Sequence, residues 1–207
     1  VIARAGAYLD GLQRGGVLGC LKHFPGLGAA RADTHSSGAV IQTPKAELME
    51  RHVAPFRALM SRAPMIMISH GSYAAFDSKP ASTSSVVIQD FLRGELRYSG
   101  AVLTDDFNMK AIAQDDQIWS EAVVHAVAAG NDGVLVCKHL ERCRLAAAAL
   151  NREAAKSPAF ARRTEEALGH MHKLRQRIAL GTFGTPEHFA SLFFGNCSGP
   201  RGELMAR

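Results

Sequence analysis

The residues able to do chemistry stand at three places in the chain. Lys22 and His23 open the run Lys22-His23-Phe24-Pro25-Gly26-Leu27-Gly28, and Asp33-Thr34-His35 follows shortly after it. His70 closes a second apolar run, and Asp105-Asp106 closes a third. A carboxylate that faces a second acid or base across a pocket suits substitution at an anomeric carbon. One group attacks the carbon and the other protonates the departing oxygen. Asp105 is placed to be the nucleophile, and Asp33 with His35 to be the proton-transfer pair. An aspartate beside a histidine holds one tautomer and raises its affinity for a proton. Residues two apart on an extended segment project to the same side. Structural readings compete at each place. Asp106 is a candidate helix N-cap, Asp33 a candidate for an Asx-turn, and His70 either lines a pocket or is a satisfied structural histidine.

Groups so far apart in sequence need a scaffold that gathers strand ends. Val17–Lys22, Pro64–Ser69, Ala101–Thr104 and Asp132–Cys137 read as strands, and each ends in a polar or charged cluster. Helical patterns alternate with them: Val1–Arg14 closed by Gly15-Gly16, a helix after Pro44, Val86–Leu96, about Ser120–Ala129, about Leu140–Ala155 and Pro158–Leu180. Ser84 or Ser85 caps the third of these, with Gln89 placed for a capping box. Met65 and Met67 belong to a continuously apolar strand, as in a parallel sheet covered on both faces. This alternation predicts an α/β fold with its chemistry at the C-terminal ends of a parallel sheet. Gly26-Leu27-Gly28 is too short for a dinucleotide-binding loop.

The 207 residues suffice for a core, and apolar and charged residues, at 47% and 21%, are in ordinary globular proportion. The net charge of +5 comes partly from Arg142, Arg144, Arg152, Arg163, Arg175 and their neighbours on helical patterns. These read as solvated helix faces, as do His125, His170 and His172. No basic run interleaved with aromatics suggests a nucleic-acid partner, and no apolar stretch suggests a membrane span. Cys20 and Cys137 read as small core residues, and the cysteines show no metal-ligand spacing. No metal and no cofactor is expected. The chain opens at Val1 inside a helical pattern, so its natural start is expected upstream.

The loop from Lys22 to His35 closely resembles the KHFPG…D-S/T-H loop of glycoside hydrolase family 3. More narrowly, it resembles the bacterial β-N-acetylglucosaminidases of that family. Gly100-Ala101-Val102-Leu103-Thr104-Asp105-Asp106-Phe107-Asn108-Met109-Lys110 resembles the family's nucleophile segment. Pro64–Tyr73, Pro80–Leu96 and Ala129–Cys137 resemble the intervening and following elements, in order. The resemblance implies a (β/α)8 TIM barrel, of which this chain supplies the C-terminal half, about four βα units. The resemblance covers roughly Val17 to Lys138 and the first and last helices are compatible with it, so 1–180 is expected to be a partial catalytic domain and 181–207 a poorly patterned tail. It implies Asp105 as nucleophile, His35 as general acid/base with Asp33 as its partner, and Lys22 and His23 as contacts to sugar hydroxyls. The reaction implied is retaining hydrolysis of terminal β-linked N-acetylglucosamine from a glycan or muropeptide, in cytoplasmic peptidoglycan recycling. Leu27 and Ala29 depart from the family, where many members have His and an acidic residue.

Three rival readings stand beside this one. A β-glucosidase-type specificity is disfavoured because such relatives take their acid/base from another domain. An inactive or sugar-binding remnant is suggested by the missing first half, which in the family brings an Asp and an Arg to the substrate. A metal-dependent barrel hydrolase is disfavoured because no HxH motif ends a strand. Oligomeric state is not legible.

Overall fold

The computed structural model describes residues 1–28, 39–109, 112 and 115–179. Asp33, His35, His188, Cys197 and the tail 181–207 therefore lie outside the described residues. Helix α1 (Ile2–Arg14) leads to strand β1 (Cys20–Phe24). Strand β2 (Val40–Ile41) precedes a long helix, α2, built of Lys45–Glu47, Leu48–Val53 and Ala54–Leu59, with its middle stretch wound as a π-helix. Strands β3 (Met65–Ile68) and β4 (Ser72–Tyr73) follow, then helix α3 (Val86–Glu95), also π-wound. Strand β5 (Ala101–Asp106), helix α4 (Asp116–Ala128), strand β6 (Gly133–Leu135) and helices α5 (Leu140–Lys156) and α6 (Pro158–Ala179) complete the order.

The sheet is parallel, in the order β1-β3-β5-β6, and β2 pairs with β4 in a separate two-stranded ladder. Among the described residues, β1 and β6 are each paired on one side only. Alternation along the strands sorts the side chains. Ile66, Ile68 and Val102 point to the helices and are fully buried beside Phe24, Val53, Val87, Ile88 and Leu92. Burying each is worth roughly 1.5–3 kcal/mol, so this face holds the sheet to α2 and α3. Met65, Met67 and Leu103 point the other way and are only half-buried. The expectation that both faces of β3 are covered is corrected here for the described residues. Asp105 lies two residues beyond Leu103 and so projects from this second, less covered face.

Several boundaries differ from the sequence reading for local reasons. Helix α4 begins well before Ser120 because the Asp115 side chain caps it, accepting from the amides of Gln117 and Ile118 at 2.9 and 3.0 Å. Ser84, not Ser85, serves the start of α3: its hydroxyl accepts from the Val87 amide at 3.3 Å and donates to Asp77 at 2.7 Å. Gly130 turns the chain from α4 into β6 at φ +118, where a Cβ would stand 2.8 Å from Ile88 Cγ2.

A buried carboxylate ties the last helix to the sheet. The Asp132 side chain has no exposure and accepts from Arg93 Nη2 at 2.6 Å, Arg163 Nη2 at 2.7 Å and the Val102 amide at 2.9 Å. His170 Nδ1 stands 3.0 Å from it. Arg163 also donates to the carbonyls of Val127, Gly130 and Asn131. This corrects the reading of Arg163 and His170 as solvated residues. Each supplies a donor or partner to one buried acceptor, which the helical periodicity of α6 does not reveal.

Candidate active site

Two strand ends, those of β1 and β5, carry the described part of the site. On β5, Asp105 Oδ1 accepts from the Asp106 amide at 2.8 Å, and Oδ2 stands 3.4 Å from His23 Nε2 at the end of β1. Both side chains are partly open, at 26% and 19% exposure for His23 and Asp105, so a ligand can reach them. Lys22 is exposed and borders a groove of about 250 Å3 with Gly26 of its own loop and Val1, Arg51 and His52 of the α1 and α2 regions. Gly26 passes close to α2 at φ +125, where a Cβ would come 2.8 Å from His52 Cβ. The loop after β1 is pinned by Tyr73, whose hydroxyl donates to the Gly26 carbonyl at 3.1 Å. The Ser69 amide donates to the Phe24 carbonyl at 3.0 Å.

The backbone that follows Asp105 is clamped group by group. Asp106 Oδ1 accepts from the amides of Asn108 at 3.0 Å and Cys137 at 3.1 Å. Asp106 therefore closes an Asx-type turn and links β5 to β6, rather than capping a helix. The Phe107 amide donates to the Leu135 carbonyl at 2.9 Å, and the Phe107 carbonyl accepts from Trp119 Nε1 at 2.7 Å. Asn108 Nδ2 donates to the Lys138 carbonyl at 3.0 Å. Trp119 is fully buried, with Phe107 edge-on at 6.3 Å. Nothing in the sequence marks this place beyond Trp119 being the single tryptophan. Cys137 is exposed beside this turn, which corrects its reading as a core residue.

His70 is buried. It is 2% exposed, its Nδ1 lies 2.8 Å from Ser82 Oγ, and its Nε2 lies 3.2 Å from the Asp106 carbonyl oxygen. The reading of His70 as a substrate contact is corrected, because both ring nitrogens are already engaged inside the protein. Burial pushes its pKa below the ordinary 6.5, against the opposing pull of the Asp105 and Asp106 charges. Below 6.5 the unfolded chain takes up a proton that the folded chain resists. Stability from this group is therefore present above 6.5 and is lost as the pH falls from there through the folded-state value. The melting temperature of the wild type is expected to fall more steeply from about pH 7 to about pH 5 than that of His70→Phe. Parallel curves in a thermal melt would count against this.

Among the described residues no group of three or more His, Cys, Asp or Glu side chains could hold a metal ion. No described helix is long and apolar enough to cross a membrane. The arrangement pairs a half-open carboxylate with an imidazole, on rigid backbone, at the C-terminal end of a parallel sheet. Such a carboxylate can attack an electrophilic carbon from a fixed direction, with the imidazole close to its charge.

A sequence model described as "Glycosyl hydrolase family 3 N terminal domain" matches residues 1–165. The beta-hexosaminidase of Stenotrophomonas maltophilia is 39% identical over 138 residues, covering 66% of this chain and 41% of its own. That of Pseudomonas aeruginosa is 35% identical over 150 residues, covering 72% and 44%. The solved family 3 β-N-acetylglucosaminidase of Paenibacillus sp. FPU-7 superposes with a TM-score of 0.75 at 34% identity, over 83% of this chain and 33% of that one. The chain thus spans about two fifths of the length of the curated relatives it matches.

Proposed function

The chain belongs to glycosyl hydrolase family 3, and from that premise we propose that it carries the nucleophile half of a retaining β-N-acetylhexosaminidase site. The observation that carries this reading is the Asp105 carboxylate, half-open at the end of β5 and 3.4 Å from His23. Asp105 attacks the anomeric carbon as the aglycone oxygen departs, giving a covalent glycosyl-enzyme. Water then cleaves that ester with net retention. His23 and Lys22 hold sugar hydroxyls. His35, partnered by Asp33, gives a proton to the leaving oxygen and takes one from the attacking water. The similarity to beta-hexosaminidases supports N-acetylglucosamine as the sugar. The parallel sheet supports a barrel-type scaffold of which these strands are about half. Peptidoglycan fragments as substrate and the cytoplasm as site of action belong to the same proposal.

The test is release of 4-nitrophenol from the β-N-acetylglucosaminide and the β-glucoside by this chain. Release from the first sugar alone supports the reading. Release from the glucoside alone favours β-glucosidase specificity, and a folded chain inert on both favours a sugar-binding remnant. The acid role has its own signature. His35→Ala is expected to cost roughly 10²-fold or more on an unactivated β-linked oligosaccharide. The loss on 4-nitrophenyl substrates is expected to be far smaller, because that leaving group needs no proton. Equal losses on both would remove His35 from the role of acid.

A further inference from the structure

We propose that His70 is a positioning residue for the nucleophile, acting through the backbone that follows Asp105 rather than through the sugar. The hydrogen-bond inventory assigns its tautomer. The Asp106 carbonyl can only accept, so His70 Nε2 carries the proton and donates across 3.2 Å. Nδ1 is then the acceptor, and the Ser82 hydroxyl donates to it at 2.8 Å. Ser82 is itself held: its carbonyl accepts from Asn131 Nδ2 at 2.8 Å and its amide donates to the Ser69 carbonyl at 3.1 Å. A chain of donors therefore runs from Asn131, just before β6, through Ser82 and His70 to the peptide immediately beyond the nucleophile. All three side chains are buried.

The ring itself is located by packing. His70 meets the fully buried Phe107 edge-on at 5.2 Å. Phe107 is fixed in turn by its two main-chain hydrogen bonds, to Leu135 and from Trp119. The Asp106 carbonyl also accepts from the Met109 amide at 3.0 Å. Loss of the His70 donor therefore leaves that oxygen one partner, and the turn keeps its course while losing a restraint on its orientation. The charges facing the ring are Asp105 and Asp106. A neutral donor suits this place, since it orients the segment without drawing the Asp105 charge into an ion pair that would weaken its attack. A carboxylate displaced by about 1 Å from its line of attack loses roughly 10²-fold in rate.

This inference rests on Asp105 being the nucleophile, and the test separates the two. His70→Phe keeps the ring against Phe107 and removes both hydrogen bonds, whereas His70→Gln returns an N–H toward the Asp106 carbonyl. In the full chain, kcat on the aryl N-acetylglucosaminide is expected to fall roughly 10- to 100-fold in His70→Phe with KM within about threefold. His70→Gln is expected to recover most of that loss. Wild-type kcat in His70→Phe, or a change confined to KM, overturns the positioning role and leaves the proposed reaction standing. A wild-type chain without turnover removes the proposed reaction instead. The positioning role is then read from the amide resonances of Asp106, Phe107 and Asn108 and from the Asp105 carboxyl carbon in ¹³C-labelled protein. Movement in His70→Phe with return in His70→Gln supports it, and unmoved resonances overturn it. The ring nitrogens of His70 should also show the Nε2–H tautomer at neutral pH; the Nδ1–H form overturns the assignment.

Discussion

Asp105→Ala is expected to lower turnover of the aryl N-acetylglucosaminide by roughly 10⁴-fold or more, which is about 5.5 kcal/mol of barrier. Among the described residues the adjacent carboxylate, Asp106, is not free to replace it. Asp106 Oδ1 is already committed to the amides of Asn108 and Cys137, and its carbonyl is held by Met109 and His70. The neighbouring carboxylate therefore belongs to the backbone clamp, and Asp106→Ala should register first as a loss of stability. A stronger assay of role follows from the cavity left by truncation. Azide added to Asp105→Ala should restore release of the aryl alcohol and give the α-configured glycosyl azide, since the small anion attacks from the side the carboxylate occupied. A β-configured product, or a variant with near-wild-type turnover, would exclude Asp105 as nucleophile.

The second large effect concerns stability. Asp132→Ala removes the buried carboxylate shared by Arg93 and Arg163, whose side chains are only 12% and 10% exposed. Breaking a buried pair by deleting one partner costs about 3–5 kcal/mol, because the other charge stays behind in a poor solvent. Here Arg93 loses its carboxylate, Arg163 keeps only its pair with the more exposed Glu166 at 3.0 Å, and the Val102 amide loses its acceptor as well. For a chain of this size the melting temperature should fall by roughly 10 °C or more. Asp132→Asn keeps the volume and one acceptor and should cost less than the alanine. Arg163→Met should cost less again, since it deletes a charge together with part of the demand for one. An Asp132→Ala protein that melts with the wild type would show the network to be energetically idle.

Much of this frame was legible in the chain. The four strands of the main sheet announce themselves as apolar runs ending in chemistry, and the helices between them by periodicity and caps. The Lys22–His35 and Gly100–Lys110 segments pointed to the family before any geometry. Several features left no such trace. The β2–β4 ladder has two residues per strand, too short to have a period. The start of α4 depends on one cap, Asp115, set in a stretch with little apolar patterning. The Asp132 network joins residues more than thirty positions apart, and its members look like ordinary surface charges one at a time. Asp105 and Asp106 are adjacent and chemically identical. The family segment assigns the first as nucleophile, and the structure adds that the second is clamped by the amides of Asn108 and Cys137 rather than capping a helix. His23 and His70 both stand at strand ends, and the structure shows one partly open and the other sealed.

Among the described residues one side of β1 is unpaired, and this carries a last consequence. Its main-chain groups invite another parallel strand, and its C-terminal end is where Lys22 and His23 stand. A strand laid there ends beside those two residues and becomes a wall of the proposed site. Covering the edge and recognising the substrate are then one problem in molecular evolution. A substitution that improves the seal is also a change of specificity, and neither trait can drift without the other.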